Sequence, residues 1–249
     1  MPEARRAFNL DSHRVVSNHH WTIDDQAGKA AGFRPASTGR ARVKQTIVTL
    51  DLEGVLTPEI WIAVAESTRI ENLRLTTRDV SDYDALMRGR IQILDQHKLK
   101  LSDIQAVIGR LPLLDGALDF MRELRAQFQV IILSDTFEQF AQPLMRQLEW
   151  PTLFCNRLNV ENDRIVGYTL RQPNQKKESV EALKRLNYRV IAAGDSFNDT
   201  AMLVEADAGI FFRAPAHIRE QFPQFEGVET HAELLRLIRE YASPASSRA

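Results

Sequence analysis

The sequence has 249 residues, of which 44% are hydrophobic and 26% charged, and its formal net charge is −1. These values are ordinary for a folded domain with a buried core, and they exclude collagen-like and wholly disordered classes. No run of about 18 apolar residues and no secretory signal are present, so we expect a cytoplasmic protein without a membrane partner. Cys155 is the single cysteine, which excludes an internal disulfide and a four-thiolate metal site.

The first segment, residues 1–44, has no sustained apolar period and contains three of the six histidines. Its eight basic and four acidic residues make it net +4, whereas the remainder of the chain is net −5. This composition predicts a disordered extension, and residues 243–249 predict a disordered tail. A nucleic-acid arm, a metal-binding histidine cluster, a targeting peptide and a downstream translation start are alternatives. Because the basic residues are scattered, we expect a solvated tail and no nucleic-acid partner.

From residue 46 onward, short apolar runs alternate with helix-length amphipathic segments. The runs are β-branched and too short for helices, and they occupy residues 47–50, 130–133, 190–193 and 209–212. They predict an α/β fold, a doubly wound, Rossmann-like parallel sheet with helices on both faces. Residues 153–170 predict one β-hairpin. Helical patterns over residues 58–112 predict a small cap inserted after the first strand, with a core of residues 45–57 and 113–242.

Acidic and hydroxyl side chains follow the first three of these predicted strands. They are Asp51 and Glu53, then Ser134, then Asp195 with Asn198 and Asp199. One Asp after a strand is more often a helix N-cap, but the carboxyl ends of parallel strands share one edge of a sheet, where ligands bind. Converging carboxylates repel each other unless a cation offsets them, and hard oxygen ligands suit Mg²⁺. The sequence therefore predicts a metal-dependent phosphate site.

A phosphate site also needs a cationic side chain close to the phosphoryl group. Lys176 and Lys177 open the amphipathic segment that precedes the third strand. A solvated lysine pair on a helix surface is the alternative for both, and spacing does not choose between them.

These motifs together resemble those of the haloacid dehalogenase-like phosphatases. The resemblance rests on Asp51-Leu52-Glu53-Gly54-Val55-Leu56-Thr57, the strand that ends in Ser134, the lysine, and Gly194-Asp195-Ser196-Phe197-Asn198-Asp199, and it covers about residues 46–215. Within that superfamily the chain is similar to the phosphoserine phosphatases. In the run Asp51-Leu52-Glu53-Gly54-Val55 together with Pro58-Glu59-Ile60-Trp61, it resembles the bifunctional enzymes that also transfer phosphate to homoserine.

The resemblance implies a role for each motif residue. Asp51 would be the nucleophile that forms an aspartyl-phosphate, and Ser134, Lys176 and Asn198 would bind the phosphoryl group. Mg²⁺ would be held by the Asp51 side chain, the Glu53 backbone carbonyl and Asp195, and Asp199 would support the metal. Glu53 would be the general acid and base; the wider family usually has Asp at this position, so the carboxyl group here is one methylene further from its backbone.

The resemblance also implies substrate contacts in the predicted cap. Glu59 matches the residue that meets the substrate ammonium, and Arg90 matches the residue that pairs with its carboxylate. The alternatives are a first-turn acid for Glu59 and a solvated helix residue for Arg90 or Arg88.

We therefore expect a Mg²⁺-dependent phosphoserine phosphatase, with water or homoserine as the phosphoryl acceptor. Another small-molecule phosphomonoesterase of the same superfamily is the alternative. A non-catalytic phosphate-binding module is a further one, although it would not need Asp51, Lys176, Asp195 and Asp199 together. The oligomeric state is left open, with a homodimer among the alternatives.

Overall fold

The computed structural model describes residues 44–76, 79–80 and 82–243. The predictions of a disordered extension and a disordered tail fall, apart from Lys44 and Ser243, outside these residues. No helix in the described part of the chain is long and apolar enough to cross a membrane.

The described residues form a seven-stranded sheet in the order β4-β3-β2-β1-β5-β6-β7. All neighbouring strands are parallel except β3 and β4, which are antiparallel. The strands are β1 Thr46–Leu50, β2 Gln129–Phe137, β3 Thr152–Glu161, β4 Arg164–Thr169, β5 Arg189–Gly194, β6 Ala208–Phe212 and β7 Glu226–Val228. The four predicted strands are all present, and their apolar runs are largely buried because helices cover both faces. The predicted α/β fold is confirmed.

The described residues contain nine α-helices, of which eight lie between strands and the last follows β7. They are α1 Ile60–Thr68, α2 Tyr83–Gln96, α3 Leu101–Ile108, α4 Ala117–Arg125, α5 Glu138–Gln147, α6 Gln175–Arg185, α7 Thr200–Glu205, α8 Ala216–Gln221 and α9 His231–Ala242. Apolar residues at helical spacing face the sheet, as Phe120 and Leu124 of α4 do. Asp82 fixes the start of α2, since its side chain accepts hydrogen bonds from the backbone N–H of Asp84 and Ala85.

The predicted β-hairpin is formed by β3 and β4. Its turn contains only Asn162 and Asp163, with φ of 48° and 67°, and is shorter than the polar segment 159–164 suggests. Asn and Asp tolerate this left-handed conformation, which matches the twist of a two-residue hairpin.

The helices of the predicted cap pack onto the same hydrophobic cluster as the sheet. Ile60, Met87 and Ile104 of α1 to α3 belong to the cluster that contains Ile132 of β2 and Phe140 of α5. A separate cap over residues 58–112 therefore stays a prediction.

The order of the strands determines where a ligand can bind. The chain places β2 on one side of β1 and β5 on the other, so the strand order reverses at β1. A crevice opens at such a reversal, outside the carboxyl ends of the strands. The residues that follow β1 and β5, and those at the end of β2, therefore meet at one edge of the sheet.

Candidate active site

A cleft of about 650 Å³ lies at this edge. Almost all the side chains singled out in the sequence line it, namely Asp51, Glu53, Glu59, Arg90, Ser134, Lys176, Asp195 and Asn198. Asp199 is fully buried beneath it. Residues far apart in the sequence are thus brought together by the observed order of the strands.

Lys176 is the centre of a buried group of charges in this cleft. Its Nζ lies 2.9 Å from Asp51 Oδ2 and 2.8 Å from Asp199 Oδ1. The Asp135 carboxylate is further away, at 3.8 Å. Of the two lysines considered in the sequence, it is Lys176 that reaches the strand ends, because it lies on the buried face of the first turn of α6. Lys177 is half-buried beside a neighbouring cleft.

Asp199 braces the loop that follows β5. Its Oδ2 accepts hydrogen bonds from the backbone N–H of Asp195 and of Ser196, both at 3.0 Å, and from Ser196 Oγ at 3.1 Å. A Cβ at Gly194 would lie 2.3 Å from Asp199 Cγ, so this close approach requires glycine. With both oxygens engaged, Asp199 fixes the position of Asp195 and of Lys176.

The geometry around Asp195 fits a divalent cation. Asp51, Asp195 and Asp199 each offer a carboxylate oxygen, and these atoms lie within 4.8 Å of one another. Gly54, at φ 77°, lets the backbone after β1 approach Asp195, since a Cβ there would lie 2.3 Å from Asp195 Cγ. Hard oxygen donors at this separation are the donor set that Mg²⁺ prefers.

The electrostatics of these carboxylates also favour a cation. Burial and the charge of Asp199 raise the pKa of Asp51 well above its usual value, although Lys176 opposes the shift. The same two causes raise the pKa of Asp195 to about 7. Burial lowers the pKa of Lys176, but the charges of Asp199 and Asp51 outweigh it, so that pKa lies well above its usual value. One lysine does not balance three acids, and the site has an excess of negative charge.

Glu53 is held in place by the first turn of the next helix. The Ile60 N–H donates a hydrogen bond of 2.8 Å to Glu53 Oε2, which anchors the longer side chain. Burial raises the pKa of Glu53 to about 8, and the nearby Glu59 carboxylate adds to the rise. A carboxyl group with this pKa is protonated at neutral pH and can donate a proton.

Ser134 is buried at the end of the apolar part of β2, and its Oγ accepts a hydrogen bond of 3.2 Å from Thr136 N–H. Its own hydroxyl proton is therefore available to a ligand in the cleft. Asn198 is exposed at the rim of the cleft.

Arg90 is not a solvated helix residue, because it is 7% exposed. Its Nη2 donates to the Leu75 carbonyl at 2.6 Å, and its guanidinium lies 4.4 Å from the centre of the Trp61 ring. Arg90 Nε is buried without a hydrogen-bond partner among the described residues. Burial lowers the pKa of Arg90 to about 10, so the group is still charged at neutral pH. Arg88, by contrast, is exposed and pairs with Asp84.

Glu59 precedes α1 at its N-cap position, but its side chain makes no capping hydrogen bond. It is exposed and lines the cleft on the side of Arg90. The cleft thus presents one carboxylate and one buried guanidinium near α1 and α2, on the side of the predicted cap, which we call the cap side.

The structure adds cleft residues that the sequence analysis did not select. Trp61, Tyr83 and Asp135 line the cleft, and Tyr83 Oη donates a hydrogen bond of 3.4 Å to the Asp135 carbonyl. Because Asp135 directly follows Ser134, the sequence could have indicated it as a cleft residue. Nothing local in the sequence distinguishes Tyr83 from a core aromatic residue.

Comparisons with known proteins agree with this geometry. A family model described as haloacid dehalogenase-like hydrolase matches residues 45–207. The chain is 62% identical over 189 residues to a phosphoserine phosphatase of Pseudomonas syringae pv. tomato, covering 76% of this chain and 80% of the relative. It is 60% identical over 191 residues to phosphoserine phosphatase ThrH of Pseudomonas aeruginosa, covering 76% of this chain and 93% of the relative.

Solved structures share the fold. A phosphoserine phosphatase with a phospho-aspartyl intermediate analogue has a TM-score of 0.65 at 20% identity, covering 78% of this chain and 99% of that chain. An apo phosphoserine phosphatase has a TM-score of 0.63 at 22% identity, covering 78% and 98%. The fold and the acidic strand ends define an α/β protein with a cluster of carboxylates at the carboxyl ends of its parallel strands. With the family match, the chain belongs to the haloacid dehalogenase-like hydrolases.

Proposed function

We propose that this protein hydrolyses phosphoserine to serine and phosphate through an aspartyl-phosphate on Asp51. The observation that carries the proposal is the Asp51 carboxylate at the end of β1, held 2.9 Å from the buried Lys176 Nζ in a cleft that also contains Asp195. The relatives named phosphoserine phosphatase support the choice of substrate.

In the first half of the reaction, an Asp51 oxygen attacks the phosphorus atom of the substrate. The bond between phosphorus and the serine oxygen breaks, and the protonated Glu53 gives its proton to the departing oxygen. Lys176 and the Ser134 hydroxyl stabilise the negative charge of the phosphoryl oxygens. The hydrogen bond from Ile60 N–H holds the Glu53 carboxyl group in the cleft.

In the second half, Glu53 removes a proton from water, and the water oxygen attacks phosphorus. The bond between phosphorus and Asp51 breaks, which releases inorganic phosphate and restores the free carboxylate. Glu53 is protonated again and ready for the next substrate.

We propose Mg²⁺ as the cofactor. The Asp51 side chain, the Glu53 backbone carbonyl and Asp195 would hold it, and Asp199 would orient Asp195 through the backbone N–H groups that it accepts from. When bound, Mg²⁺ would polarise the phosphoryl oxygens and offset the carboxylates whose pKa values burial raises.

At the cap side, Arg90 and Glu59 would bind the amino-acid part of the substrate. The Arg90 guanidinium is buried without a carboxylate partner among the described residues, which suits the substrate carboxylate. Glu59 would meet the substrate ammonium. Asn198, at the rim, would help to orient the phosphoryl group.

In chemical terms an alcohol can replace water as the acceptor in the second half, and we propose homoserine as a second acceptor. The support is the 60% identity to the relative named ThrH and the motif resemblance at residues 58–61. We further propose a cytoplasmic enzyme, because the single cysteine suits a reducing compartment. A homodimer remains an alternative to a monomer.

The test incubates the full chain with phosphoserine, with and without Mg²⁺, and measures serine and phosphate. Parallel reactions contain homoserine and are analysed for phosphohomoserine, and a panel with phosphothreonine and p-nitrophenyl phosphate defines the substrate range. We expect Mg²⁺-dependent phosphoserine turnover that EDTA abolishes. Turnover of p-nitrophenyl phosphate without phosphoserine would contradict the substrate, and phosphate without phosphohomoserine would contradict the transfer.

A further inference from the structure

We propose that Gln175 is a positioning residue that fixes the phosphate-binding end of β2 against the helix carrying Lys176, with Arg171 holding its amide in the required orientation. This inference rests on the proposed function of the cleft. It concerns the arrangement behind the phosphoryl group, and Gln175 itself would touch neither substrate nor metal.

Gln175 connects two elements that each carry a phosphate-site residue. Its side chain is 4% exposed. Its Nε2 donates one hydrogen bond of 2.6 Å to the Ser134 backbone carbonyl and another of 3.0 Å to Asp135 Oδ1. Both amide protons are used, and both go to the end of β2.

The orientation of this amide is fixed by Arg171. Arg171 Nε donates to Gln175 Oε1 at 3.1 Å, so a flipped amide would place its NH₂ group against the guanidinium. Arg171 is in turn held by a hydrogen bond of 2.7 Å from its Nη2 to Ser179 Oγ, and it lies 5.0 Å from the centre of the Phe154 ring. The amide therefore has one favourable orientation.

The position of Gln175 in the chain explains how its hydrogen bonds would affect catalysis. Gln175 immediately precedes Lys176, and the carbonyl that it binds belongs to Ser134. The two hydrogen bonds thus set the separation between the Ser134 hydroxyl and the Lys176 ammonium. They also hold the Asp135 carboxylate, whose Oδ2 lies 3.8 Å from Lys176 Nζ. Displacement of a catalytic group by about 1 Å is enough to reduce a rate by about 100-fold.

The chain contains a matched control for a purely structural glutamine. Gln139 of α5 also joins a helix to a strand through its amide: its Nε2 donates to the Leu158 carbonyl and its Oε1 accepts from Leu158 N–H, both at 2.9 Å. Gln139 does not line the cleft. Its replacement removes the same kind of contact, but the partner is Leu158 rather than Ser134.

The experiment compares Gln175→Met and Gln139→Met in the full chain, because methionine has a similar length and donates no hydrogen bond. For Gln175→Met we expect kcat for phosphoserine to fall about 10-fold to 100-fold. KM should rise less than the inhibition constant for inorganic phosphate does, since the contacts to the amino-acid part are untouched. The inhibition constant for inorganic phosphate should rise as kcat falls, because the same displacement weakens phosphate binding. Gln139→Met should lower the melting temperature by a similar amount and leave kcat within about twofold.

A second variant tests the role of Arg171. Arg171→Met should reduce kcat in the same direction but less, and the double variant with Gln175→Met should be no worse than Gln175→Met alone, because both act through one amide. Additive losses would contradict the proposed chain of contacts.

The outcomes separate this proposal from the proposed function. If the wild type turns over p-nitrophenyl phosphate but not phosphoserine, the substrate is wrong and the same comparison proceeds with p-nitrophenyl phosphate. If it turns over neither, the enzymatic function is wrong and the affinity for inorganic phosphate is compared instead. Wild-type kcat in Gln175→Met, or unchanged phosphate affinity in an inactive protein, would overturn the positioning role.

Discussion

The two sides of the cleft hold their charges in different ways. On the sheet side, Lys176 is paired with Asp51 and Asp199, so the charges are already arranged around each other. On the cap side, Arg90 is buried without a carboxylate partner among the described residues, and Glu59 makes no capping hydrogen bond. The first arrangement suits chemistry common to every phosphomonoester. The second arrangement provides charged side chains that can pair with opposite charges on a particular substrate. Variants on the sheet side should therefore affect all substrates, whereas variants on the cap side should affect only substrates with matching charges.

The largest effect is expected for Asp51→Asn. The amide cannot form the aspartyl-phosphate, so kcat should fall by at least about 10⁴-fold with every phosphomonoester. Asp207→Asn is the control, because Asp207 accepts a hydrogen bond of 2.8 Å from Val190 N–H at the opposite end of β5. Steady-state phosphate release measures both variants. Substantial activity in Asp51→Asn would exclude Asp51 as the nucleophile.

Glu53→Gln should have the next largest effect. Gln can still accept the hydrogen bond from Ile60 N–H but has no proton to give to the leaving oxygen, so we expect kcat to fall about 10²-fold to 10⁴-fold. The apparent affinity for Mg²⁺ should stay nearly unchanged, because the proposed metal contact is the Glu53 backbone carbonyl. Activity is measured as a function of Mg²⁺ concentration. Wild-type turnover would count against Glu53 as the acid.

Arg90→Met distinguishes the two sides of the cleft most directly. Loss of a buried charged partner for the substrate carboxylate should raise KM for phosphoserine about 10-fold to 100-fold. The kinetics with p-nitrophenyl phosphate, which has no carboxylate, should change little. Arg88→Met is the matched control, since Arg88 is on the same helix but exposed, and it should behave as wild type. An equal loss with both substrates would show that Arg90 acts structurally.

The smallest effect is expected for Glu59→Gln. Glu59 is exposed, so solvent screens its interaction with the substrate ammonium, and KM for phosphoserine should rise about 10-fold or less. The deamino analogue of phosphoserine should bind equally well to the wild type and the variant. If the variant also binds the deamino analogue more weakly, the proposed contact with the substrate ammonium is contradicted. Glu59 would then act only as a neighbour of Glu53.

Much of the sheet side was predictable because the relevant signals are local. An apolar run followed by Asp51, and another followed by Asp195, are visible in a few consecutive residues, and parallel strands bring their ends together. The choice between Lys176 and Lys177 was not local. It depended on which face of α6 packs against the sheet, and the hydrophobic pattern of the helix left both lysines near the boundary.

The cap side was less predictable for the same reason. Arg88 and Arg90 are two residues apart on one amphipathic helix, but only Arg90 is enclosed by the Trp61 ring and the Leu75 carbonyl. These partners come from other segments of the chain. A charged residue in a helix is usually solvated, so the sequence pattern alone left a solvated Arg90 as an alternative.

The sequence by itself determined the α/β class, the four central strands, the hairpin and the acidic residues at the strand ends, because strand burial and strand-end chemistry are encoded in short runs. Tertiary structure alone decided which charges became partners. The pairing of Lys176 with Asp51 and Asp199, the burial of Arg90 without a carboxylate partner among the described residues, and the Gln175 contacts to Ser134 and Asp135 all depend on long-range packing. Such contacts join segments that are far apart in the sequence, and no local pattern specifies them.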